Sequence, residues 1–136
     1  MKTKLALLLA LLLSFPFTDH AASYHLVKEI PVGGEGGWDY LSIDPSGHRL
    51  YVSHASKVVV IDTSTDAVAG EVTDTPGVHG FAIAPDLGRG FSSNGRENKS
   101  SIVDLKTLKT LSKVETGENP DAIRGSILST FRVFRG

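Results

Sequence analysis

Residues 44–68, "DPSGHRLYVSHASKVVVIDTSTDAV", are echoed by residues 84–111, "APDLGRGFSSNGRENKSSIVDLKTLKTL". At a shift of 40, Ile43, Pro45, Arg49, Tyr51 and Ser53 fall on Ile83, Pro85, Arg89, Phe91 and Ser93. The run "NGREN" lengthens the second copy by two residues. At the resulting shift of 42, Val60, Ile61, Asp62 and Thr65 fall on Ile102, Val103, Asp104 and Thr107. A fixed period constrains a fold more than any local pattern, because each copy must be one supersecondary unit that buries its apolar surface against a sibling.

Within the first copy, extended runs are expected at residues 40–44, 49–54, 57–62 and 67–73. They are divided by "DPSGH", "HAS" and "TSTD", whose Asp, Pro, Gly and Ser favour turns. Such short links join only antiparallel neighbours, since a parallel crossover needs a dozen residues or more. Each copy is therefore a four-stranded meander. Leu41, Ile43, Leu50, Val52 and the run Val58, Val59, Val60 and Ile61 put apolar side chains on both faces, so the sheet needs neighbours on both sides. Radial stacking at a period near forty supplies them, which predicts an all-β chain: a β-propeller fragment of about two four-stranded antiparallel blades plus remnants. A sandwich of two repeated hairpin pairs is the rival. The blades are expected at residues 38–77 and 78–117, preceded by a leading strand and linker at 23–37 and followed at 118–136 by the start of a third repeat. The leading strand, Tyr24 to Ile30, would be the outer strand of a ring's last blade.

The N-terminus has a different texture. Lys2 and Lys4 precede the apolar run "LALLLALLL", and small residues follow at Ala21, Ala22 and Ser23. That layout predicts a secretory signal peptide over residues 1–22. The run is too short for a mature membrane span, which needs about 20 residues. Its removal takes away two lysines and one aspartate, moving the net charge from -1 to -2. A chain so near neutrality argues against nucleic acid as a partner, because phosphate binding draws on clustered Lys and Arg. The chain has no cysteine, which excludes a disulfide scaffold and a thiol site. A periplasmic or secreted bacterial location is expected.

The run "GHRLYVSHASKVVVIDTSTDAVAGEV", in which "LYVS" leads into "VVVIDTST", resembles the YVTN repeat of exported bacterial β-propellers, the YncE-like family. The second copy, "PGVHGFAIAPDLGRGFSSNGRENKSSIVDLKTLKTLSKVETGENPDAI", is similar to that repeat along nearly its whole length, and the resemblance covers residues 33–123. It implies a ring of about seven blades and roughly 300 residues, more than twice the 136 present. It also implies an exported binding or interaction scaffold for a protein or small-molecule ligand, truncated here and without catalysis of its own. The alternatives are a fragment of a propeller enzyme, lactonase-like or redox, with a metal or haem in its channel, and a single-stranded nucleic-acid binder. The family's repeat continues after "NPDAI" with an Asp-Pro turn, whereas Arg124, Gly125 and Ser126 follow here. Codons for Arg-Gly-Ser read one base later encode Val-Asp-Pro, so the tail reads as frameshifted. Two blades with open apolar faces are expected to self-associate.

In a propeller the inter-blade loops and the loops between second and third strands share one face. That rim should carry Trp38, Asp39 and His79 from the former, and His54, Asn94, Arg96 and Asn98 from the latter, as a ligand-binding constellation. No catalytic set, cofactor or metal site is expected. The histidines His20, His25, His48, His54 and His79 show no paired ligand spacing, and "GGEGG" precedes no helix that would make it a phosphate loop. Asp44, Asp62, Asp86 and Asp104 recur after strands, as turn-stabilising residues do.

Overall fold

The computed structural model describes residues 23–125 and 131–135. The signal peptide expected over residues 1–22 lies outside them. The first meander consists of β1 (Trp38–Asp44), β2 (Arg49–His54), β3 (Lys57–Asp62) and β4 (Ala67–Val72), antiparallel and paired in chain order. The second repeats it with β5 (Val78–Ala84), β6 (Arg89–Asn94), β7 (Lys99–Asp104) and β8 (Thr110–Glu115). A hairpin of β9 (Pro120–Gly125) and β10 (Phe131–Arg135) follows, so the third repeat begins as an antiparallel pair. Among the described residues no helix is long and apolar enough to cross a membrane.

The corners form because aspartate carboxylates replace missing backbone partners. Asp44 Oδ1 accepts from the Ser46 amide at 3.1 Å, the Ser46 hydroxyl at 2.7 Å and the Gly47 amide at 3.0 Å. Asp62 does the same with Ser64 and Thr65, and Asp104 with Lys106 and Thr107. Asp86 departs from this pattern and lies inside the 3-10 turn Pro85–Leu87.

Burial pushes the Asp44 carboxyl up, but the Ser46 hydroxyl, the Gly47 and Ser46 amides and the Arg49 charge together hold it below its ordinary value. The Ser64 hydroxyl and amide lower Asp62. The Thr107 amide, against some burial, lowers Asp104. A depressed carboxyl stabilises the fold fully above its unfolded pKa and loses that contribution as pH falls through the folded one. The fold is thus expected to lose stability as pH drops below about 4. Asp44→Asn should lower the urea midpoint at pH 6 and change it far less at pH 3. Equal losses at both pH values would contradict this account.

Alternation along β3 sends Val58 and Val60 to one face and Val59 and Ile61 to the other. On the first face, Tyr51, Val58, Val60 and Val72 form one buried cluster with Val78, Phe81, Val103 and Leu105 of the second sheet. Arg49 fastens the same junction by donating to the Leu105 carbonyl. On the second face, Val52, Val59 and Ile61 cluster with Leu50, Ile30 and Val32.

The last two contacts correct the expected leading strand. Residues 23–37 carry no strand; instead the segment lays Ile30 and Val32 on the sheet's apolar face, and Lys28 pairs with Asp66 at 3.0 Å. A strand needs a free edge with which to exchange hydrogen bonds, whereas this segment meets the sheet through side chains. The first strands of the three units stand side by side, β5 packing against both β1 and β9, and this arrangement brings their starts together.

Candidate functional site

Each first strand begins with a β-bulge. In β1, Trp38 pairs with His54 and Leu41 with Val52, so Asp39 and Tyr40 together oppose a single residue. In β5, Val78 pairs with Asn94 and Phe81 with Ser92, placing His79 and Gly80 in the equivalent irregularity. In β9, Pro120 pairs with Arg135 and Ala122 with Phe134, leaving Asp121 unpaired between them. A bulge re-aims the side chain it carries, and here three bulges in neighbouring strands aim Asp39, His79 and Asp121 at one another. His79 Nδ1 lies 2.8 Å from Asp39 Oδ2 and 3.5 Å from Asp121 Oδ1.

The bulges of β5 and β9 are tied together from below. Buried Ser93 accepts from the Gly80 amide at 2.8 Å and donates to the Asp121 carbonyl at 2.7 Å, so one hydroxyl spans β5, β6 and β9. Gly80 leaves room for this, since a Cβ there would lie 3.1 Å from the Ile123 amide nitrogen and 3.3 Å from Ser93 Oγ.

Asp39 and His79 open into a cleft of about 520 Å³ that Glu35, Trp38, Ala55, Arg96 and Asn119 also line. Trp38 is 50% exposed. Its ring stacks on His54 at a centroid distance of 3.7 Å and an angle of 9°. Arg96 is exposed on the 3-10 turn Gly95–Glu97. That turn is held by the Gly95 amide donating to the Gly77 carbonyl at 2.9 Å. Gly77 has φ 63°, and a Cβ there would meet Arg96 Cγ at 2.6 Å. Glu97 anchors the turn through Lys113, whose Nζ lies 2.8 and 3.0 Å from its two carboxylate oxygens. Burial pulls the Lys113 ammonium down, but Glu97 and Asp74 outweigh it and raise its pKa.

Of the residues expected at the rim, Trp38, Asp39, His79 and Arg96 line this cleft. The other three are placed elsewhere. His54 is 1% exposed and lies beneath Trp38 with Nδ1 3.0 Å from the Gly37 carbonyl. Asn94 is wholly buried, donating to Glu97 at 2.7 Å and Ser101 at 2.8 Å and accepting from Ser92. Both close a central strand that is covered on its two faces, so their side chains turn inward. Asn98 caps the 3-10 turn at φ 59° and accepts the Asn119 amide at 2.9 Å.

Asp121 was not among the expected rim residues. It stands 42 residues after His79, as His79 stands 40 after Asp39, so the repeat register marks it.

No family model matches the chain, and no curated protein matches it closely enough to count as a relative. Solved structures do match. Hydrazine synthase of Kuenenia stuttgartiensis superposes with a TM-score of 0.68 at 22% identity, over 85% of this chain and 32% of that one. Apo AztD of Citrobacter koseri superposes with a TM-score of 0.57 at 17% identity, over 65% of this chain and 26% of its own. The β-propeller domain of Cps50 (Swd1) from Myceliophteria thermophila superposes with a TM-score of 0.55 at 15% identity, over 68% of this chain and 30% of that one.

The fold is that of a β-propeller. The two meanders are successive blades, β1 and β5 are their innermost strands, and β9 opens a third. At these identities the likeness concerns the fold alone. The chain spans about a third or less of each matched structure.

Proposed function

We propose that the chain is part of an exported, non-catalytic propeller scaffold of the YVTN-repeat type, which binds a small polar ligand on the rim formed by its bulges. The observation that carries this reading is the convergence of Trp38, Asp39, His79 and Arg96 on one cleft at the axial end of two blades. An exposed ring beside a guanidinium, a carboxylate and an imidazole offers stacking and charged hydrogen bonds within one pocket. Export is supported by the layout of residues 1–22, and the YVTN relationship by the repeat text itself.

Trp38 is the only tryptophan, so intrinsic fluorescence reports on the cleft directly. Titrating the full chain with free amino acids, dicarboxylates and mononucleotides is expected to shift or quench the emission with one of these classes. That response should be lost in Arg96→Ala and kept in Lys106→Ala, which lies on the groove lined by Asp44 and Leu105. A flat response to every class, or one indifferent to Arg96, overturns the reading.

A further inference from the structure

We infer that Asp39, His79 and Asp121 form a binding site for a single divalent cation of the zinc class. The inference deepens the reading of this rim as a ligand surface and rests on it.

Each side chain brings one hard or borderline donor, and the three donor atoms lie within 4.8 Å of one another. At zinc bond lengths of about 2.0–2.2 Å, neighbouring ligands of a tetrahedral ion stand about 3.3–3.6 Å apart. The His79–Asp121 separation of 3.5 Å already falls there, and the 2.8 Å between His79 and Asp39 needs only to open by a fraction of an ångström. One imidazole with two carboxylates suits zinc or its first-row neighbours better than calcium, which prefers six to eight oxygens. Three protein ligands, two of them, Asp39 and His79, lining an open cleft, leave a fourth position for water or for a ligand atom.

The construction also favours a cation. Two aspartates are turned toward a shared centre by independent bulges in different blades, and the Ser93 hydroxyl pins the backbone at Gly80, beside His79, and at Asp121. His79 Nδ1 faces both carboxylates, so Nδ1 is the ring atom that would ligate the ion, with the ring hydrogen on Nε2. The donors come one from each of three successive blades. No local stretch of chain holds two of them, which is why no ligand spacing shows in any one segment.

The test uses the full chain, stripped with chelator and titrated with Zn²⁺ by calorimetry, with Co²⁺ absorption as a second readout of ligand number. The expected result is one ion per chain. Loss of an outer-shell partner alone costs about 10–100-fold in affinity, so Asp39→Asn, His79→Ala and Asp121→Asn should each weaken binding by at least that much. Asp66→Asn, at the edge of the first blade, should leave it unchanged. Because Asp121 is on the short third unit, circular dichroism of that variant must match the parent; Asp39→Asn tests the same claim from the complete first blade. Absence of binding, or binding indifferent to Asp39 and His79, overturns the inference. An organic ligand that still shifts Trp38 emission in a chain that ignores Zn²⁺ removes the cation and leaves the scaffold reading standing. Zinc binding without any organic ligand does the reverse.

Discussion

Phe81→Ala is expected to reduce stability by about 3–5 kcal/mol, a large share of the roughly 5–15 kcal/mol that holds an ordinary domain together. Phe81 is 2% exposed and stacks on Tyr51 of the neighbouring blade, with ring centroids 5.0 Å apart. Its truncation opens a cavity where the two blades share one apolar cluster. The loss should therefore fall on both blades at once. Urea denaturation followed by circular dichroism measures it; a midpoint shift worth less than about 1 kcal/mol, well under the usual cavity cost, would mean that the blades do not depend on this junction.

Gly90→Ala is the second large effect. In an ordinary strand, replacing glycine by alanine is worth about 0.5–1 kcal/mol in favour of the fold. Here the added Cβ would lie 2.3 Å from Phe81 Cζ, 2.7 Å from Phe81 Cε1 and 3.1 Å from Leu105 Cδ2. We expect the opposite sign, a loss of about 1–3 kcal/mol from overpacking. The repeat register explains why glycine stands there: Phe81 and Gly90 occupy the places of Leu41 and Leu50, so the second blade pairs one large and one minimal residue where the first has two of middle size. Phe81→Leu added to Gly90→Ala should recover part of the loss. Additive destabilisation in the double variant would rule out the clash as the cause.

The repeat made the strands legible because their limits are set by local chemistry. β2 and β3 begin and end where the turn residues predict, and the carboxylates of Asp44, Asp62 and Asp104 close the corners as expected. The rim was legible only in part. Asp39, His79 and Arg96 are brought together, but His54 and Asn94 end strands buried on both faces. Polarity suggested exposure there, whereas hydrogen bonding allowed burial. Asp121 escaped notice because the text after it loses the repeat, although its own position keeps the register. A strand at residues 24–30 is what the repeat register suggests, since a shift of 42 carries Glu29 and Ile30 onto Glu71 and Val72. What the apolar side chains of segment 23–37 required was a surface, and the outer face of the first blade supplied one through Val52, Val59 and Ile61.

The bulges that open β1, β5 and β9 separate two kinds of information in this architecture. Residues on either side of each bulge answer to the packing between sheets, and a change there disturbs the whole assembly. Asp39, His79 and Asp121, carried in these bulges, meet one another instead of the apolar clusters between sheets. A ring built this way can revise its axial chemistry one letter per blade, exchanging aspartate, histidine or anything else, while the interior that keeps it upright stays as it was.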